Sequence, residues 1–207
     1  MRLHHSSAVP AHDDEPAARG LVDANERKLV ELVRAGDRAA FEGIYRSYYR
    51  RLVGFTYTYV HSDALAEELV QEIFLSIWRQ RERWEVGTTL RAYLFACARN
   101  SALNHRRHEG VKQAASDAAI SEGRLLGMGE APAALDSRLE ADDLALAARA
   151  AISRLPPRCR TAFTLCRGHG LSYAEAAEVM GISESTVKIQ MARALAALRA
   201  ALARWIG

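Results

Sequence analysis

No stretch of the chain approaches the ~18 consecutive apolar residues that a membrane-spanning helix needs, although 49% of its 207 residues are hydrophobic. The sequence has material for buried cores and none for insertion into a membrane. Cysteine is scarce: Cys97, Cys159 and Cys166 are odd in number and form no CxxC pair, which excludes a disulfide framework and a zinc knuckle. They read as small core residues. Only five prolines occur against abundant Ala, Leu, Arg and Glu, a composition that favours an all-α fold. No phosphate loop, nucleophile–base constellation or metal-ligand spacing is present, and the seven histidines do not converge, with His4, His5 and His12 in the N-terminal tail. An enzyme, a cofactor and a bound metal are therefore not expected. The N-terminus carries Asp13, Asp14 and Glu15 in place of a signal-peptide apolar region, which points to the cytoplasm.

What is present is charge in blocks. The net charge of +3 looks bland, but residues 25–108 carry fourteen basic and ten acidic groups and residues 141–207 nine and five. Between them, residues 109–140 carry three and six. Two basic blocks flanking an acidic connector suit nucleic acid, although a solvated helix face can carry as much.

Hydrophobic periodicity organises the chain into two small helical domains joined by a flexible linker. Residues 1–22 have no periodicity and read as a disordered tail. A helical bundle spans 23–108. It opens with a short helix from Asp23 to Arg34, and Asp37 caps a second helix with Phe41, Ile44, Tyr45, Tyr48, Leu52, Phe55 and Tyr59 on one stripe. A third helix runs from about Ala64 to Arg83, and a fourth, capped by Thr88 or Thr89, to about His108. From 109 to 135 the pattern collapses into glycine, alanine, serine and acid, too long for a loop inside a compact domain. The second domain, 136–207, begins with a helix to Arg154 ended by Pro156–Pro157. Ser172 and Glu175 form a capping box, and Ser183 caps a long helix to Trp205 with Val187, Met191, Leu195, Leu198 and Leu202 inward.

Three local patterns carry function. The stretch Ser172–Arg193, with Gly181 in its turn, reads as a helix-turn-helix whose second helix presents Glu184, Ser185, Lys188, Ile189, Gln190, Ala192 and Arg193. Such a helix suits a major groove; an ordinary helical hairpin with a solvated polar face has the same spacing. Between Arg91 and Arg107 lie four arginines and no acid, interleaved with Tyr93, Asn100, Asn104, His105 and His108. Such a surface suits unpaired bases as well as phosphates, or is a plain basic face. The third pattern is the acidic face Glu67, Glu68, Gln71 and Glu72 ahead of Phe74 and Trp78, which can dock a basic helix or simply face water.

The order of these patterns resembles the extracytoplasmic-function sigma factors of bacterial RNA polymerase. The resemblance rests on Ala-Glu-Glu-Leu-Val-Gln-Glu-Ile-Phe within Ala40–Trp78, on Arg-Ala-Tyr-Leu-Phe-Ala-Cys-Ala-Arg-Asn within Leu90–Arg107, and on Leu-Pro-Pro-Arg through Gly-Ile-Ser-Glu-Ser-Thr-Val-Lys within Leu155–Leu198. It implies a protein that binds core polymerase and directs initiation at promoters. Glu68, Gln71, Glu72, Leu75 and Trp78 would meet the clamp coiled coil of the largest subunit, and the second domain the flap of the second-largest. Arg91, Tyr93, Arg99, Asn100, Arg106 and Arg107 would read and melt the minus-ten element. Arg158, Ser185, Thr186, Lys188, Ile189, Gln190, Ala192 and Arg193 would read the minus-thirty-five element. The acidic connector, with Asp117, Glu122 and Glu130, would thread polymerase channels, and an anti-sigma factor is a common partner in the group. Tyr93 stands where many members have Trp, Gln190 and Ala192 replace larger or basic residues, and the loop Glu85–Thr89 is short and not basic. The rival reading is a stand-alone helix-turn-helix regulator, which leaves the acidic helix and the basic helix after it unexplained.

Overall fold

The computed structural model describes residues 16–117 and 139–203. Glu122 and Glu130, the N-terminal tail before residue 16 and Trp205 lie outside the described residues. Among those described every regular element is helical. The first domain comprises α1 (Pro16–Arg34), α2 (Arg38–Val60), α3 (Asp63–Arg79), a 3₁₀ turn (Arg81–Arg83) and α4 (Leu90–Asp117). The second comprises α5 (Leu139–Ser153), α6 (Pro157–Phe163), a π turn (Thr164–Gly168), α7 (Tyr173–Met180) and α8 (Glu184–Ala201).

Helix ends follow local chemistry. Asp37 accepts from the amides of Ala39 and Ala40 at 2.8 and 3.1 Å, and Ser62 from Leu65 at 3.4 Å. Thr89, not Thr88, caps α4 by accepting from the Ala92 amide at 3.1 Å. One start and two ends differ from the sequence pattern. α1 begins at Pro16, seven residues before Asp23, because proline suits a first helical turn even where no apolar period follows. α3 tightens into the 3₁₀ turn before Arg83, and α4 runs on to Asp117, into the stretch read as connector. In α8 the inward stripe is Val187, Met191, Ala194 and Leu198, with Leu195 only half-buried. Ala194 is buried in the cluster that joins α8 to α6.

The first domain buries one aromatic-rich core. Leu52, Phe55, Val70, Leu90, Leu94 and Phe95 are nearly or wholly excluded from solvent, and the Phe55 ring meets Phe95 edge-on at 5.2 Å. Glu26 ties α1 to both neighbours: its carboxylate accepts from the Tyr48 hydroxyl at 2.7 Å and from the Leu90 amide at 3.2 Å.

The apolar cluster does not stop at the domain boundary. It continues through Leu165, Leu171, Ala176, Val179 and Met180 into Val187 and Met191, so the two domains rest on each other along α4 and α7. A smaller cluster of Ala151, Leu155, Cys159, Ala194 and Leu198 holds α5, α6 and α8 together. At the seam His169 sits against Phe95 at 4.7 Å and Phe55 at 5.8 Å. Its backbone carbonyl accepts from Arg51 of α2. The Tyr59 hydroxyl pairs with that of Thr161 at 3.1 Å.

Phe55 touches both faces of this arrangement, so Phe55→Ala should lower stability by about 3–5 kcal/mol in urea denaturation. Burial first, and the nearby Arg51 second, lower the His169 pKa from 6.5 to about 4. An unfolded chain takes up this proton near 6.5 and the folded one does not until about 4, so His169 contributes stability above that window that is lost as pH falls through it. The urea midpoint should drop from pH 7 to pH 5.5, and by less in His169→Gln.

Candidate nucleic-acid interface

The helix-turn-helix is built by two caps and one glycine. Glu175 accepts from the Ser172 amide at 2.8 Å while Ser172 Oγ accepts from the Glu175 amide at 3.1 Å, the reciprocal capping box that starts α7. Gly181 ends it at φ +64°, a left-handed conformation that costs glycine little. Ser183 then caps α8, accepting from the Thr186 amide at 3.2 Å, and its hydroxyl also meets those of Ser185 and Thr186 at 2.9 and 2.8 Å. Ala176 and Ala177 are buried where α7 crosses α8.

One face of α8 is left to solvent. Ser185, Lys188, Ile189, Ala192 and Arg193 are exposed together, and Ile189 is 51% exposed with no apolar cover. Lys188 lies 2.8 Å from Glu184, a pairing that raises its pKa. Thr186 is half-buried at the cap. Gln190 is placed differently from its neighbours: half-buried, it accepts from Cys159 Sγ at 2.9 Å, linking α8 to α6. Arg158 is exposed at the start of α6, whereas Arg160 is half-buried and donates to the Leu155 carbonyl at 3.2 Å.

The basic helix α4 divides into two parts. Asn100, Arg106 and Arg107 are exposed, and Arg107 donates to Asn104 at 3.3 Å. Tyr93 and Arg99 are half-buried. The Tyr93 ring lies 6.1 Å from that of Trp84, and burial is the main cause that pushes its hydroxyl pKa up to about 12. Arg91 is not free: Nε and Nη2 donate to Glu175 Oε1 at 3.1 and 3.0 Å, and Nη2 also reaches Oε2 at 3.0 Å.

Sequence reasoning missed two members of this surface. Trp84 is buried behind Tyr93, and an isolated tryptophan after a helix carries no periodic signal. Glu175 reads as a cap alone; its second role needs the other domain in place.

On α3, Glu68, Gln71, Glu72 and Leu75 are exposed along one face. Leu75 is 47% exposed. Behind it a shallow groove of about 520 Å³ is lined by Phe41, Tyr45, Phe74 and Trp78, with Phe41 and Trp78 in ring contact at 4.9 Å. Arg38, Glu42 and Gln71 border this apolar floor, and the exposed Glu68 and Glu72 lie on α3 beside it, Glu72 at 3.3 Å from Arg79. Among the described residues no group of three or more His, Cys, Asp or Glu side chains is placed to hold a metal ion.

Comparison with known proteins places these surfaces in a family. Residues 44–111 match the family described as Sigma-70 region 2, and residues 145–198 that described as Sigma-70, region 4. The chain is 32% identical over 173 residues to the RNA polymerase sigma factor CarQ of Myxococcus xanthus, covering 82% of this chain and 93% of that one. It is 31% identical over 185 residues to the ECF RNA polymerase sigma factor BldN of Streptomyces coelicolor, covering 87% and 68%. Among solved structures, the sigma factor RpoE of Bartonella quintana, in complex with the anti-sigma factor NepR, aligns with a TM-score of 0.59 at 26% identity over 78% of this chain and 96% of that one. The acidic helix, the basic helix and the helix-turn-helix thus fall in the order of regions 2 and 4, and the chain belongs to the extracytoplasmic-function group of RNA polymerase sigma factors.

Proposed function

We propose that this sigma factor divides its work among the three surfaces. The α3 face docks on core polymerase, the exposed part of α4 takes the minus-ten element, and α8 reads the minus-thirty-five element. The observation that carries the reading is the shared exposure of Ser185, Lys188, Ile189, Ala192 and Arg193 on one face of a capped helix. Lysine and arginine reach phosphates or guanine edges, and an uncovered isoleucine suits a thymine methyl. Ala192 leaves room beside them. Arg158, at the start of α6, adds a phosphate contact, while Ser185 and Thr186 hold the helix N-terminus toward the backbone. Gln190 enters through its amide NH₂, since its oxygen is engaged by Cys159.

On α3, Glu68, Gln71 and Glu72 meet a basic coiled coil of the largest subunit, and Leu75 and Trp78 supply the apolar contact. The second domain meets the flap of the second-largest subunit. On α4, Arg91, Arg99, Arg106 and Arg107 hold phosphates, and Tyr93 and Asn100 receive bases that have left the stack. Unstacking costs about a few kcal/mol per step, which captured bases and polymerase contacts offset. The protein supplies an address and a melting surface and no chemistry of its own, and it acts in the cytoplasm with the polymerase. An anti-sigma factor is a further partner, as the Bartonella complex illustrates for its own sigma factor. A stand-alone regulator is not favoured, because both sigma regions occur in one chain.

Run-off transcription with core polymerase on genomic promoter fragments tests the reading: promoter-dependent transcripts are expected, and their absence would count against it. Glu68→Lys with Glu72→Lys should weaken capture of core polymerase at least tenfold in a pull-down while leaving the circular dichroism spectrum unchanged, since both side chains are exposed. Arg193→Ala should cost about 1–3 kcal/mol of binding by the holoenzyme and relax preference at one base position of the minus-thirty-five element, measured by competition among promoter variants.

A further inference from the structure

Gln190 stands at the border between the exposed and the buried faces of α8. Three residues on, Arg193 is exposed; four residues on, Ala194 is wholly buried. The Gln190 side chain is half-buried, and its amide oxygen accepts from Cys159 Sγ at 2.9 Å. Cys159 is 3% exposed and lies among Ala151, Leu155, Ala194 and Leu198. A thiol is a weak donor in water, but an apolar surrounding strengthens the bond it makes. A side-chain amide carries its acceptor oxygen and its donor NH₂ on one planar group. With the oxygen held against the buried thiol, the NH₂ is the end left for an outside partner.

We infer that Cys159 is a positioning residue for promoter recognition: by holding the Gln190 oxygen it makes Gln190 a donor only, aimed at an acceptor group on the minus-thirty-five DNA. The inference deepens the reading of α8 given above and rests on it. A glutamine free to turn about its last bond presents either end, and with both ends it makes the bidentate contact to adenine N6 and N7. A glutamine whose oxygen is engaged makes no such contact. It donates to a phosphate oxygen or to a base acceptor such as guanine O6 or N7, and it accepts from no base amine. The turned-over amide would set its oxygen against the negative phosphates, and the thiol removes that orientation. Cys159 thus acts on DNA through Gln190 without touching DNA, and it does so from inside the cluster that joins α6 to α8.

The test uses holoenzyme assembled from core polymerase and the full-length chain, with promoter binding measured by competition. One neutral hydrogen bond is at stake, so Cys159→Ala should weaken binding roughly three- to tenfold. Cys159→Ser keeps a donor at the same place and should restore most of that loss. Gln190→Ala should lose as much as Cys159→Ala, and the two together no more than either alone. A packing role for Cys159 would cost the same with or without Gln190, so additive losses would overturn the inference. Cys159→Ser as weak as Cys159→Ala would overturn it too. Gln190→Glu sets an acceptor where the NH₂ stood and should bind more weakly than Gln190→Ala; equal or tighter binding would speak against a donor there. If Cys159→Ala lowers helicity, that last comparison decides. Single-base substitutions across the minus-thirty-five element separate the two sources of acceptor. Preference lost at one position in Gln190→Ala marks a base edge, and uniform loss on every sequence a phosphate. Unchanged binding by Cys159→Ala, with Arg193→Ala still relaxing a base preference, would overturn this inference alone. No effect of Arg193→Ala on any base preference would count against α8 as the reading helix.

Discussion

One buried carboxylate joins the local and global levels of this structure. Glu175 starts α7 by closing the capping box with Ser172, and α7 positions the turn at Gly181 from which α8 departs. The same oxygens receive Thr89 and Arg91 from α4. A charge so deeply placed is tolerated only because every lone-pair direction is used by a donor. The orientation of α8 and the packing of the two domains are thereby tied to a single side chain.

Around that carboxylate the surfaces sort by what they leave uncovered. α3 shows water the acidic Glu68 and Glu72 and the apolar Leu75, with an aromatic groove beside them, an arrangement that asks for a basic, partly apolar partner. α8 shows Lys188, Ile189 and Arg193 around the small Ala192. α4 shows only part of its basic face, because its first turn is spent on the other domain. The three surfaces therefore differ in readiness: two are open in the free protein and the third is half-covered.

Much of this was legible in the residues. Short-range chemistry announces itself in sequence, so Asp37, Ser172, Glu175, Gly181 and Ser183 marked helix ends that the structure reproduces. The wide aromatic stripe of α2 likewise became its buried face. Less legible were elements with little periodic content. The first turns of α1 after Pro16 and the last turns of α4 up to Asp117 carry no apolar stripe, so nothing in the pattern distinguished them from tail and connector. Side-chain direction near a helix edge was also beyond reach. Gln190 lies beside Ile189 in sequence, yet it is held by Cys159 while Ile189 faces water, a difference that depends on which side of α8 packs against α6.

The sequence by itself determined the helices, their caps, the two-region organisation and the family, because these follow from spacing, capping chemistry and motifs within a few turns of chain. Only the tertiary structure decided that the regions close on each other, that His169 lies against Phe55 and Phe95, and that Arg91 answers to Glu175 across 84 positions of chain. Pairings of that range depend on how whole domains dock. No local pattern records them, because the same glutamate would stand at the start of α7 whether or not an arginine waited opposite.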